Sequence, residues 1–346
     1  MTENPLPLIG ISVGDPAGIG PEITAKALDD PGLYRICRPF AVGEAELMRE
    51  AVLFSGLSRP VHAIDEPGQG VYDGTRINVL DLKNVDGRRI AHQTVSAETG
   101  RASYEYVARV IELAMAGKID ATVTGPINKE AIFAAGCIHS GHTEIFGELT
   151  GTKDYAMMLA HEDFRVIHVT THVSLRKACD LIKKDRVLSV IRLADSTLKK
   201  MGMERPRIGV CGLNPHAGEN GLFGREEIDE ILPAIERARE EGIEATGPIP
   251  GDTVFSKMAG GQYDIVVVMY HDQGHIPTKL RGFHFDEKTG AWGSISGVNI
   301  TAGLPIIRVS VDHGTAFDIA GKGIANPESM IEAVHVAAQM VVHHKV

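Results

Sequence analysis

A two-domain α/β/α fold is the class this sequence predicts, and three observations predict it. Short β-branched runs alternate with amphipathic stretches along the chain, the pattern of a largely parallel sheet covered by helices. The 346 residues are enough for two domains at ~150 residues each. Hydrophobic residues make up 43% of the chain and charged residues 23%, which leaves ample material for buried cores.

Taken in order, Leu8–Val13, Ala121–Thr124, Val166–Thr170, Ile208–Gly212 and Ile265–Tyr270 are short apolar runs and are expected as buried strands. Between them, Ala102–Ala116 sets Tyr104, Val107, Val110, Ile111 and Ala114 on one helical face and stops at Gly117. Leu181–Lys200 and Glu226–Glu241 read as helices in the same way. A last helix is marked by Asn326 as its cap, Pro327 in its first turn and a stripe of Ile331, Val334, Ala338 and Val341. Arg281–Gly297 is rich in glycine and polar residues, holds the one tryptophan, and reads as an excursion rather than an element. No repeat or low-complexity linker marks a boundary. The domains are set at 1–125 with 298–346, which holds both termini, and 126–297 between them.

Composition excludes several classes. A formal charge of −10 and the lack of a Lys/Arg run argue against a nucleic-acid partner, and 5% aromatics against a stacking platform. Four widely spaced cysteines without a CxxC give neither a disulfide framework nor a cysteine zinc site. The opening residues lack the basic-then-apolar order of a signal peptide, and no apolar stretch is long enough to span a bilayer. A cytoplasmic protein with no membrane contact is expected.

Five segments can carry chemistry. Gly14-Asp15-Pro16-Ala17-Gly18-Ile19-Gly20 follows the first strand and precedes a helix; its glycines let backbone approach a ligand, and a tight turn explains them equally well. His172, His216 and His271 each stand just past a strand, where ligands gather in open α/β sheets. Three neutral imidazoles with an open position are a common catalytic metal set, although no close spacing ties these three together. Gly141-His142-Thr143-Glu144 opens a helix and offers an imidazole, a hydroxyl and backbone amides to an anion, or a simple cap. Lys279 lies two helical turns after His271, and Arg308 ends an apolar run where a charge needs a partner; Asn299 is grouped with them. His313-Gly314-Thr315-Ala316-Phe317-Asp318-Ile319, continuing to Asn326, offers amides and a carboxylate that suit a ribose diol.

The blocks GDPAGIGPE, TGPINK, SGHTE, GLNPHAGENG, YHDQG and GVNITAGLPIIRVSVDHGTAFDIAG stand in the order of the 4-hydroxythreonine-4-phosphate dehydrogenase family, which the chain resembles over nearly its whole length. HGTAFDIAGKGIANP also resembles the adenosine-binding loop of isopropylmalate and isocitrate dehydrogenases, so the resemblance implies their fold, two α/β/α domains with a cleft between them. It implies a homodimer with the active site at the subunit interface and a metal held by His172, His216 and His271 from both subunits. Zinc leads, with cobalt, nickel, manganese and magnesium compatible. His142, Thr143, Lys279, Asn299 and Arg308 match the substrate-binding residues. NAD falls to Gly14, Asp15, His313, Gly314, Thr315, Ala316, Asp318, Ile319 and Asn326, with Asp318 set against the extra phosphate of NADP. The implied reaction oxidises a hydroxyl β to a carboxylate, and the keto acid then loses CO2. The base is open among His142, Asp272 and Lys279.

Two departures refine the resemblance. Vitamin B6 members read GEPAGIGPD, and LP after YHDQG; this chain reads GDPAGIGPE, and His275-Ile276-Pro277. That is similar to the catabolic branch, which acts on D-threonate or D-erythronate 4-phosphate. The interval from Lys279 to Asn299 is also longer than the family pattern. The alternatives are the B6 reaction on 4-phosphohydroxy-L-threonine, a cis-dihydrodiol dehydrogenase without phosphate, and an acyltransferase of related fold.

Overall fold

The structure, a computed structural model, describes residues 5–139, 141–282, 285–286, 291–292 and 297–344. Two compact units divide the chain: Met1–Lys153 with Leu304–Val346, and Asp154–Gly303. The first opens with β1 (Leu8–Ser12), α1 (Gly20–Leu28), β2 (Arg38–Gly43), α2 (Ala45–Phe54), β3 (Val61–Ile64) and β4 (Ile77–Asp81). It continues through α3 (Ala97–Met115), β5 (Ala121–Thr124), α4 (Lys129–Ala134) and α5 (His142–Leu149). The second unit holds β6 (Ala156–His161), β7 (Phe164–His168), α6 (Leu175–Leu181), α7 (Lys184–Lys200), β8 (Ile208–Cys211), α8 (Leu232–Glu240), β9 (Ala245–Ile249) and α9 (Gly251–Ala259). Then come β10 (Ile265–Val268), α10 (His271–Gly282), β11 (Phe285–Asp286), β12 (Ala291–Trp292) and β13 (Val298–Ala302). The chain returns to the first unit with β14 (Arg308–Val311) and α11 (Glu328–His344).

In the first unit the strand order is β3-β4-β2-β1-β5-β14, all parallel. Strands covered on both faces need no polar alternation, and LIGIS of β1 is buried at every position. α1 packs with α2 and α11, while α3 packs with α4 and α5, which layers the unit α/β/α. Phe40, Val42, Leu80, Val107, Val110 and Ile111 share its core. α3 starts earlier than Ala102 because Ser96 Oγ accepts the Thr99 amide at 3.1 Å and caps it.

The second unit orders its strands β13-β6-β7-β10-β8-β9; β6 runs antiparallel to both β13 and β7, and the pairs from β7 through β10 and β8 to β9 are parallel. Its core gathers Leu159, Phe164, Val166, Ile249, Val254 and Val266. The units change over at 153/154 and 303/304, past the boundaries expected at 125 and 298. α4 and α5 pack on α3 and stay with the first unit, and β13 pairs with β6 in the second.

Three further expected elements differ. The helix expected over Leu181–Lys200 is broken where Ile182 turns extended (ψ 95°), separating α6 from α7. The helix expected over Glu226–Glu241 begins as a π turn, Glu227–Ile231, before Pro233, which has no amide to give to the α-helical ladder. Arg281–Gly297, expected as an excursion, contains the end of α10 and an antiparallel pair, Phe285 with Trp292 and Asp286 with Ala291. The rest of that interval up to 296, and Ser140, lie outside the described residues. Among the described residues no helix is long and apolar enough to cross a membrane.

Candidate active site

In the first unit the strand order reverses between β1 and β5, and a crevice forms outside the carboxyl ends of such strands. The loop after β1 lies there: the Asp15 amide donates to the Pro126 carbonyl at 2.8 Å, in the loop after β5. Gly14 has φ +86°, and a Cβ on it would stand 2.3 Å from the Pro126 oxygen, so the approach requires glycine. Asp15 is fully buried; its Oδ1 accepts the Ala17 amide at 2.8 Å, and Oδ2 is enclosed without a hydrogen bond. Burial raises its pKa to about 6 against the opposing pull of the Ala17 amide.

Beside this crevice, His142 and Thr143 start α5, both half-buried. His142 Nε2 is enclosed without a hydrogen bond, and burial, then the charges of Arg308 and Lys129, hold its pKa well below the usual imidazole value. The ring is a neutral group next to cations. Arg308, on the first residue of β14, is 3% exposed. Its Nη2 donates to Thr124 Oγ1 at 3.1 Å, its guanidinium lies 5.6 Å from the Phe146 ring centre, and Glu144 supplies nearby negative charge. Burial lowers its pKa to about 9, so it stays cationic at neutral pH. A buried guanidinium, a neutral imidazole and the Thr124 hydroxyl are groups chemically suited to an anion.

The 313–326 loop packs against the loop after β1, where the Ile19 amide donates to the Thr315 carbonyl at 3.0 Å. His313 Nδ1 donates to the Gly314 carbonyl at 3.0 Å; Ala316 is left-handed at φ +39°; Asp318 and Ile319 form a short turn with Asp318 exposed. Asn326 Oδ1 accepts the Glu328 amide at 2.9 Å and so caps α11, as its position before Pro327 suggested. A clasp unseen in the sequence holds the loop from below. Buried Glu22 accepts the Ala325 amide at 2.6 Å, and Lys26 Nζ donates to Glu22, to the Gly323 carbonyl and to the Ala325 carbonyl at 2.8, 2.9 and 2.7 Å. Its one signal was an i,i+4 Glu–Lys spacing, common on helix surfaces.

In the second unit β7, β10 and β8 are neighbouring parallel strands, so the loops after them share one edge. His172, His271 and His216 follow these three strands. The rings of His172 and His271 stand 5.7 Å apart between centres. His271 Nδ1 donates to Asp272 Oδ1 at 2.7 Å, which leaves Nε2 as the lone-pair nitrogen of the neutral ring. Gln273 ties the edge together, accepting the Met269 amide at 2.7 Å and donating to the Gly212 carbonyl at 2.8 Å. His216 begins a run to Asn220 with positive φ throughout, a conformation L-residues rarely adopt. Buried Glu227 anchors that run by accepting the Leu213 and Asn214 amides at 2.8 and 2.7 Å. His216 and Asp272 both line a pocket of about 630 Å³ with Asp252, Phe255 and Tyr270. Lys279 is half-buried on α10, two turns beyond His271, and Asn299 on β13 encloses its Oδ1 without a hydrogen bond.

The donor types fit a divalent metal: imidazoles at strand ends, one with its tautomer set by a carboxylate. Within one chain, however, only the rings of His172 and His271 are shown as neighbours. Among the described residues no group of three or more His, Cys, Asp or Glu converges closely enough to hold an ion.

Comparison with known proteins gives the class. The chain is an oxidoreductase, a dehydrogenase with the isocitrate/isopropylmalate dehydrogenase-like fold. It belongs to the family described as pyridoxal phosphate biosynthetic protein PdxA, which matches residues 35–337. The D-threonate 4-phosphate dehydrogenase of Pectobacterium atrosepticum is 46% identical over 334 residues, covering 96% of this chain and 99% of that protein. A 4-hydroxythreonine-4-phosphate dehydrogenase structure from Burkholderia phymatum matches with a TM-score of 0.83 at 45% identity, over 97% of this chain and 99% of that one. One from Klebsiella pneumoniae gives 0.85 at 44% identity with the same coverage. The family resemblance and fold class expected from the motifs are borne out.

Proposed function

We propose that the protein is a cytosolic NAD- and divalent-metal-dependent dehydrogenase. It oxidises the 3-hydroxyl of a 4-phosphorylated hydroxy acid of the D-threonate/D-erythronate 4-phosphate type, and the keto acid formed loses CO2. The carrying observation is Arg308, a buried cation beside His142, in a chain 46% identical to an enzyme named for D-threonate 4-phosphate. A guanidinium fork matches phosphate oxygens two at a time, and a neutral imidazole adds a hydrogen bond without further charge.

His172, His216 and His271 would hold the metal. Such an ion would supply a Lewis acid that lowers the pKa of a substrate hydroxyl, and bound NAD would be the hydride acceptor. Asp272, engaged by His271, orients that ring, which leaves His142 and Lys279 to receive the hydroxyl proton. Asn299 would hydrogen-bond the substrate through Oδ1. The 313–326 loop, resting on the loop of Gly14 and Asp15, would hold the adenosine end, with Asp318 accepting from the ribose diol.

A homodimer with the site at its interface is part of this reading. Ile276 and Leu280, one turn apart on α10, are 65% and 79% exposed, and Leu222 is 72% exposed. Ile276 and Leu280 line the pocket that His216 and Asp272 share, so exposed apolar side chains stand at the proposed site. The solved structures named for 4-hydroxythreonine-4-phosphate favour a second reading, the B6 reaction. NADH formation by metal-loaded enzyme separates the two. D-threonate and D-erythronate 4-phosphate as the good substrates, with loss on chelation, is expected; preference for 4-phosphohydroxy-L-threonine returns the protein to B6 synthesis. Turnover of an unphosphorylated diol alone, or of no hydroxy acid, would sink the substrate class.

A further inference from the structure

Around His271 stands a column of imidazoles that the proposed reaction does not use. His168, the last residue of β7, is completely buried. Its Nδ1 lies 3.0 Å from the Met157 carbonyl. A carbonyl only accepts, so Nδ1 carries the proton and Nε2 of this buried neutral ring carries the lone pair. Nδ1 of His275 lies 3.2 Å from that Nε2 and 3.0 Å from the His271 carbonyl. Both are acceptors, so His275 is also held with its proton on Nδ1, shared between them. The ring fixed this way stacks on His271, with centres 3.6 Å apart and planes 10° from parallel. Gly274 lets α10 come this close, since a Cβ there would stand 2.7 Å from His168 Nε2.

We propose that His275, held by His168, is a positioning residue for His271. The stack fixes the plane of the His271 ring while Asp272 fixes its tautomer, so that Nε2 is presented at the sheet edge in one orientation. The inference rests on reading His271 as a metal ligand, and it assigns His168 and His275 roles through that ring rather than contacts with substrate. The run His271-Asp272-Gln273-Gly274-His275 then supplies, in order, the lone-pair donor, the tautomer lock, the edge tie, the close approach and the stacking plate.

Two measurements test it. Nitrogen-15 NMR of the metal-free protein reads the tautomers directly, and competition for Zn²⁺ against a chromophoric chelator reads affinity. The expected result is the Nδ1–H tautomer for His168, His275 and His271. His275→Leu, which keeps bulk but removes the flat ring and its donor, is expected to weaken zinc binding about 10- to 100-fold in a protein that still unfolds cooperatively, at a temperature lowered by the loss of one part-buried hydrogen bond. His275→Phe, which restores a flat ring, recovers part of the loss. A proton on Nε2 of His275 overturns the proposal, as does wild-type zinc affinity in His275→Leu when His271→Ala has lost it. Wild-type affinity in His271→Ala overturns the metal reading itself, and this inference with it.

Discussion

The Asp15 carboxyl sits where the strand order reverses, and burial raises its pKa from 3.8 to about 6. A raised value means the fold favours the protonated form. The stability it contributes is complete below about pH 4 and is lost as pH rises through about 6. At about 1.4 kcal/mol per pH unit the loss reaches up to about 3 kcal/mol. Asp15→Asn, which stays neutral, is therefore expected to unfold at a higher temperature than wild type at pH 8 and at nearly the same temperature at pH 4. A wild-type midpoint unmoved between those pH values, or a variant weaker at pH 8, contradicts the assignment. Arg308 differs from Asp15 in that its expected partner is a ligand. Arg308→Met should lower kcat/KM for phosphorylated substrates by about 10- to 100-fold, the worth of hydrogen bonds to a charged group. An equal loss on an unphosphorylated diol would take the phosphate away from Arg308.

Between residue and fold, the Glu22–Lys26 pair fastens α1 to the 313–326 loop by hydrogen bonds to backbone at Gly323 and Ala325. Lys26→Met removes three of the contacts and leaves the fully buried Glu22 carboxylate without its cation. The expected outcome is a KM for NAD raised about 10-fold, on the scale of ~1.4 kcal/mol, with KM for the acid substrate unchanged. A change confined to the acid substrate would detach this loop from the cofactor. Strand ends were legible in the sequence because apolar runs such as Ile265–Tyr270, which holds IVVV of β10, stop at His or Gly, and that placed His172, His216 and His271 on one edge. What was not legible depends on contacts distant in sequence. The clasp joins residues about 300 positions apart, and the His168–His275 pair forms only once β7 and α10 meet. The left-handed run from His216 was equally hidden, since Glu227, which anchors it, looks like any helical acid.

At the scale of the whole molecule, one chain brings the His172 and His271 rings within 5.7 Å but leaves His216 in a separate turn after β8. A catalytic zinc takes three protein ligands and keeps one position open, so under the proposed metal reading the His172–His271 pair of a single chain would fall one short. A second copy can supply the third, and a two-fold axis then generates two equivalent sites, each drawing on both chains. This makes subunit mixing decisive. His216→Ala and His271→Ala, each purified alone, should be inactive. If the two histidines reach a given site from different chains, a mixed dimer carries both defects in one site and none in the other. Random re-association makes half the dimers mixed with one intact site of two, so about a quarter of wild-type activity should return. A mixture that dimerises yet stays inactive would instead place both ligands on one chain, and the site would have to close by a movement within it.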